Sequence, residues 1–437
     1  MSSNHLQRIH IRGGTVVDPA NNIKEQRDVF VSDGKIIAVS NEAPKDFNAD
    51  SVIDATGHIV CPGLVDMCAR LREPGQESKA TIASETAAAA AAGITSICCP
   101  PDTNPVIDTP AVATLIQDKA KDSGKAYVYT LGALTQELDG ERLSEMGSLK
   151  AAGCVGVSNA YSPFKNTLIL RHAMEYAASH DLVVHLHAED THLRNNGCVH
   201  EGQISTRLGL AGNPSAAETV AVSQILALIE QIGVKAHFCR LSTARAVQMI
   251  ARAQYTGLQV TADVSAHQLH LTDMDVGYFN SNCHVSPPLR SLRDREGLRA
   301  GLNKGTISAI CSDHQPHEAD AKLAPFALTE PGISTLETLL PLSLRLINEG
   351  TIELSALIAS LTHKPAQLLG IEAGTLTPGA QADICIYDPE REWQLDSDTL
   401  RSQGHNTPMM HWQFTGQVTH TLFRGQLIFQ LDYLNEQ

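Results

Sequence analysis

The chain has no stretch approaching about 18 uninterrupted apolar residues, so no membrane-spanning helix is expected. Its start, Met1 to Gly14, is polar and charged and has no apolar segment of the secretory kind. Positive charge is scarce: 33 Lys and Arg stand against 48 Asp and Glu, a formal net charge of -15. That deficit speaks against nucleic acid or an anionic membrane as a partner. None of the ten cysteines forms a C-x-x-C pair. A reduced, cytoplasmic chain with mostly buried thiols is therefore expected. Also missing are a phosphate loop, a dinucleotide fingerprint, a Ser-His-Asp constellation and an internal repeat. Gly13-Gly14 and Ala92-Gly93 read as turns.

What is present is ordinary globular composition, 43% hydrophobic and 19% charged over 437 residues. That length suits one large barrel and a small second domain. Both ends are strand-like. Ile9 to Arg12, Thr15 to Val17, Val29 to Val31, Lys35 to Val39, Ser51 to Asp54 and Ile59-Val60 alternate with turns, and Ser32-Asp33-Gly34 marks a hairpin. Ala382 to Tyr387, Thr421 to Phe423 and Gln426 to Phe429 repeat the pattern near the other end. Residues 1–60 and 366–437 are thus read as two parts of one β domain. Between them, residues 61–365 alternate short apolar runs with helical stretches, the βα signature of a parallel sheet or barrel. Strands are expected at Ile94 to Cys98, Ala126 to Thr130, Leu182 to His187, Lys235 to Cys239, Gln259 to Ala262 and Ile307 to Ile310. A helix is expected at Ser84 to Ala92, whose alanine run favours helix. Polar residues gather at strand C-terminal ends, where barrel sites form.

Several motifs follow one another in order: Pro62 to Gly75, Thr103-Asn104-Pro105, His187-Ala188-Glu189-Asp190, Ser205 to Leu210, Pro287-Pro288-Leu289-Arg290, Asp313 to His317, and Gly404-His405-Asn406-Thr407-Pro408. Together they resemble a dihydroorotase of the amidohydrolase superfamily, type I branch, over nearly the whole chain. The resemblance implies a distorted TIM-like (β/α)8 barrel with a small β-sandwich formed from both termini. It also implies interconversion of dihydroorotate and N-carbamoyl-aspartate in pyrimidine synthesis. In such enzymes a metal-bound hydroxide attacks the ring amide and an Asp shuttles the proton.

Carried over residue by residue, the resemblance brings a conflict. The first two metal ligands, a His-x-His pair, fall on Cys68 and Arg70. The bridging position falls near Asn159, the third histidine on His187, and the fourth on Arg240. Asp313 matches the catalytic Asp. A guanidinium has no acceptor atom and ligates no metal. The degenerate metal positions are therefore Cys68, Arg70, Asn159, His187 and Arg240, and the expectation is no cofactor and no catalysis by Asp313. One of the arginines is expected to pair with Asp313. The substrate-carboxylate clamp is kept as Arg72, Asn104 and His317, while an Asn before Pro287 is replaced by Ser286.

Each of these positions also has a structural reading. Arg72 and Asn104 are either a clamp or a salt bridge and a turn. His187 is either a remaining ligand, with His185 on the same strand face, or a core residue. Cys68 is either a small core side chain or a thiolate whose pKa nearby arginines lower. His192, His200, His267 and His270 are expected at the surface. The resemblance is to dihydroorotase chains that lack activity and assemble with an aspartate carbamoyltransferase catalytic chain, which implies a homo- or hetero-oligomer. Two alternatives stand beside it. One is an active dihydroorotase with a mononuclear zinc site at Cys68, His187 and Asp313. The other is a ligand-sensing subunit using Arg72, Asn104 and His317.

Overall fold

The computed structural model describes residues 7–432. Eight parallel strands form a nearly closed barrel: β1 (Leu64–Asp66), β2 (Ile94–Cys99), β3 (Tyr127–Ala133), β4 (Gly156–Ser158), β5 (Val184–Leu186), β6 (Ala236–Phe238), β7 (Val260–Ser265) and β8 (Ala309–Cys311). Helices cross over between them, the arrangement that parallel pairing requires. β1 and β4 were not anticipated as barrel strands: Leu64–Asp66 runs directly on from the strand-like Ile59-Val60, and Gly156–Ser158 is a short run of small residues with no distinct apolar pattern. Strand pairing closes the cylinder only beyond the strand ends. There the amide of Arg70 donates to the carbonyl of His314 at 2.9 Å and the amide of His314 to that of Cys68 at 3.3 Å. Asp66 reinforces this seam, accepting from the amides of Ser312 at 2.8 Å and Cys68 at 3.3 Å, and from the Ser312 hydroxyl.

The helix after β1, Ile82–Ala91, starts where Thr81 and Ser84 form a reciprocal capping box. Its alanines let it lie close to the sheet, and its buried Glu85 reaches the barrel rim. There Glu85 accepts from His314 at 2.7 Å, the Ser402 hydroxyl at 2.7 Å and the amide of Gln403 at 3.1 Å. The segment around Gly404 to Pro408 is thereby tied to the barrel mouth. Asn406 completes the tie, accepting from the amide of His317 and donating to the carbonyls of Gln315 and Gly332.

Two further sheets stack beside the barrel. One has four strands, in the order Lys35–Ser40, Asp28–Ser32, Ile9–Arg12 and Ser51–Asp54. The other has six, in the order Gln426–Gln430, Gln413–Phe423, Ile384–Gln394, Ile59–Pro62, Thr15–Asp18 and Ile23–Gln26, so both ends of the chain meet in it. Ile9, Ile11, Val31, Val60, Ile384 and Leu422 are among the apolar side chains buried between the two sheets. The Asp33-Gly34 turn has positive φ at both residues, 53° and 76°, as a two-residue hairpin of alternating strands requires. All ten cysteines are free, and eight are buried. No helix among the described residues is long and apolar enough to cross a membrane.

Candidate active site

The mouth of the barrel is filled by charge. Arg70, just past β1, donates through Nε to Asp102 at 2.8 Å and through Nη1 to Asp313 Oδ1 at 3.3 Å. Arg240, just past β6, places Nε 3.6 Å from the same oxygen and donates through Nη1 to Cys68 Sγ at 3.0 Å. The Cys68 thiol in turn points at Asp313 Oδ1 from 3.6 Å. Both guanidiniums lie over the ring of Tyr161, at 4.7 and 4.9 Å, and the phenol donates to the carbonyl of Ser286 at 2.8 Å. Arg70, Arg240 and Asp313 are 5, 4 and 2% exposed. Two cations and two carboxylates thus balance in a dry space, and the anticipated pairing involves both arginines.

Electrostatics follow from that packing. Burial works against both guanidinium charges, but the carboxylates Asp102 and Asp313 at Arg70, and Asp313 at Arg240, outweigh it, so both pKa values are raised. The thiol of Cys68 departs from expectation: burial dominates over the two arginines and pushes it up to about 12. It is therefore a thiol, not a thiolate, in this setting.

The other clamp residues lie on the rim. Arg72 donates through Nε to the carbonyl of Pro316 at 3.0 Å and through Nη2 to His317 Nε2 at 3.0 Å, while Lys79 Nζ stands 3.3 Å from His317 Nδ1. Burial, then Arg72 and Lys79, hold His317 down at about 3, so it is neutral. Burial and the neighbouring Arg70 lower Arg72 to about 10. The crevice shared by Arg70, Arg72, Gln76 and Asp102 measures only about 10 Å³, room for about one water. Asn104 is exposed, and its amide donates to the carbonyl of Pro74 at 3.1 Å.

His187 and Asn159 belong to a different place. His187 sits edge-on to Tyr161 at 4.7 Å, and neither of its ring nitrogens has a hydrogen-bond partner among the described residues. It borders a cavity of about 230 Å³ between the Asn159–Thr167 segment and His185 to His192. Asn159 is committed locally, accepting from the Thr135 hydroxyl at 2.8 Å and donating to the carbonyl of Ser162 at 3.0 Å. Two residues down the strand from His187, His185 faces the barrel interior with His237 and Cys239. One ligand atom from each of these three lies within 4.8 Å of the others. Among the described residues this is the only group of three or more His, Cys, Asp or Glu so placed, and Cys68, His187 and Asp313 do not form one.

Sequence reasoning missed Tyr161, Asp102 and this deeper group. Only the two-residue spacing of His237 and Cys239 along a strand could have pointed to the last. His267 and His270 are also corrected. Both are buried, because the Ala266–Leu269 turn folds under the mouth and His270 Nε2 meets the carbonyl of Leu342 at 2.7 Å.

The buried histidines set a pH dependence. Burial holds His185 at about 3 and His267, His270 and His284 at about 4, with His317 at about 3. Unfolded histidines titrate near 6.5, so below that pH the unfolded chain takes up protons the folded chain refuses. Burial acts oppositely on three acids, raising Asp66 and Glu337 to about 7 and Asp383 to about 6. These favour the folded form as pH falls. Five histidines against three acids leave about 2 extra protons on the unfolded chain at pH 5, a slope of about 2.7 kcal/mol per pH unit. The urea midpoint is expected to fall from pH 7 to pH 5. An equal or higher midpoint at pH 5 would count against these assignments.

The fold and the site together define an amidohydrolase-type barrel whose mouth holds two buried arginines. In fold, the chain is similar to the L-hydantoinase (dihydropyrimidinase) from Arthrobacter aurescens, with a TM-score of 0.87 over 97% of this chain and 96% of that one at 24% identity. The dihydropyrimidinase from Brevibacillus agri gives 0.82 at 22% identity. In sequence, it is 48% identical to a dihydroorotase-like protein of Pseudomonas aeruginosa over 96% of this chain and 99% of the relative. It is 43% identical to a dihydroorotase of Syntrophus aciditrophicus over 97% of this chain and all of the relative. The dihydro-orotase-like family model matches residues 57–246. The chain belongs to the dihydroorotase-like family.

These likenesses overturn the expectation of a chain without a cofactor, since dihydroorotases and hydantoinases are metal-dependent amidohydrolases. The mouth positions still do not fit a two-metal centre. Arg70 and Arg240 offer no acceptor atom, and each brings a positive charge within 3.6 Å of the Asp313 carboxylate.

Proposed function

We propose that this chain is a non-catalytic dihydroorotase-like subunit of pyrimidine biosynthesis, cytoplasmic, which scaffolds an aspartate carbamoyltransferase catalytic chain in a hetero-oligomer. The observation that carries this reading is the state of Asp313. Its Oδ1 accepts from Arg70 and faces Arg240 and the Cys68 thiol, so the carboxylate is engaged where proton transfer needs a free base. Arg72, Arg240 and Asp313 keep positive φ angles of 63°, 54° and 49°. Such backbone is uncommon outside glycine and gathers at functional sites. This supports descent from a working mouth whose chemistry has been replaced by an ion cluster. The name of the Pseudomonas relative, dihydroorotase-like protein, is in line with it.

A second reading, an active dihydroorotase, is favoured by the relatives that carry that name, such as the one at 43% identity. One assay separates the two. The purified chain, with zinc supplied, is expected to give no turnover of dihydroorotate or N-carbamoyl-aspartate above the uncatalysed rate. Turnover abolished by Asp313→Asn would defeat the non-catalytic reading. Co-expression with an aspartate carbamoyltransferase catalytic chain is expected to yield a co-eluting complex, and separate elution would remove the scaffold role.

A further inference from the structure

We propose that His185, His237 and Cys239 form a zinc site inside the barrel, below the mouth and separate from the positions a dihydroorotase would use. The inference goes beyond the proposed function and holds whether or not the chain turns over dihydroorotate. His185 and His237 stand in register on the adjacent strands β5 and β6, and Cys239 follows His237 by two residues, just past the end of β6. Their donor atoms lie within 4.8 Å of one another. Tetrahedral zinc, with bonds of about 2.0 to 2.3 Å, needs donors about 3.3 to 3.8 Å apart, so the group has to close by about 1 Å.

Two further observations point to an ion. His185 is 1% exposed, yet its Nε2 has no hydrogen-bond partner among the described residues. Gly156 leaves the room this ring occupies, since a Cβ there would lie 2.9 Å from His185 Nε2 and 2.8 Å from Cδ2. Cys239 is likewise weakly held, its thiol reaching only the carbonyl of His237 at 3.9 Å.

Charge also closes. Both ring nitrogens of His237 are engaged, Nδ1 with Thr261 Oγ1 at 2.8 Å and Nε2 with Asp263 Oδ2 at 3.0 Å. An ion has to displace one of these contacts, while Asp263 supplies a carboxylate at the group. When zinc binds, the Cys239 thiol proton leaves to bulk water. The ion, one thiolate and one carboxylate then sum to zero, and Arg240 stays with Asp313. Two imidazoles and a thiolate select a borderline-soft ion such as zinc over magnesium or calcium, which take oxygen ligands.

The full chain, stripped and then loaded with zinc alone, is expected to retain about one equivalent through gel filtration. Cys239→Ser and His185→Asn should lose it, whereas Cys68→Ser and His187→Asn should keep it. Cobalt(II) in place of zinc should give a thiolate-to-metal absorption band that vanishes in Cys239→Ser. No retained zinc, or zinc that survives Cys239→Ser but leaves with Cys68→Ser, would overturn the site. Should a variant fail to fold, the cobalt spectrum of the unaltered chain decides: bound cobalt without a sulfur band overturns it equally.

Discussion

Replacing Asp313 by Ala is expected to destabilise the chain by about 3 to 5 kcal/mol, the usual penalty for stripping one partner from a buried ion cluster. Arg70 would keep Asp102, but Arg240 would be left with Tyr161 and the neutral Cys68 thiol in a space closed to water. An unpaired guanidinium there cannot escape by losing its proton. Replacing the three charged residues together by apolar ones of similar volume, Arg70→Met, Arg240→Met and Asp313→Leu, should bring much of the loss back, since well-packed apolar groups commonly equal a buried ion pair. Urea unfolding of the single and triple variants measures both effects. If Asp313→Ala sits within about 1 kcal/mol of the unaltered chain, the cluster is not what holds the mouth together.

Gly75→Ala is expected to have an effect of comparable size for a purely steric reason. Gly75 has φ 97°, and a Cβ built there would lie 1.9 Å from the carbonyl oxygen of Asn104 and 2.7 Å from its Cβ. Neither obstacle is a flexible side-chain end, so the Asn104 turn has to move. The expected cost is about 2 to 5 kcal/mol, combining a disfavoured backbone with an overpacked contact. Gly57→Ala is the control, because Gly57 also has positive φ, 81°, but nothing within 4 Å of its would-be Cβ. It should cost only about 1 to 2 kcal/mol. Equal midpoints for the two variants in urea would show that the Asn104 contact yields freely.

Much of this architecture was legible in the residues. The Asp33-Gly34 hairpin, the alternating ends and six of the barrel strands each declare themselves through local patterning. Strands β1 and β4 do not, and their identity comes from the neighbours they pair with. The same division runs through the site. That Arg70 and Arg240 converge on Asp313 could be expected from motif order. That Asp102 and Tyr161 complete the cluster could not, since they reach it from β2 and β4 loops with no spacing to betray them. Cys68 shows how a correct neighbourhood still misleads: two arginines do stand beside it, yet loss of water outweighs them.

The way the cylinder is shut has its own consequence. The first and eighth staves are fastened by Asp66 on Ser312 and by the strip running through Cys68, Arg70 and His314, which also forms one wall of the charged mouth. Any motion widening that wall would unzip the hoop itself. The cavity beside His187, lined by Tyr161 to Thr167, lies across the mouth from that strip, so a small molecule held there would leave the staves' fastening untouched.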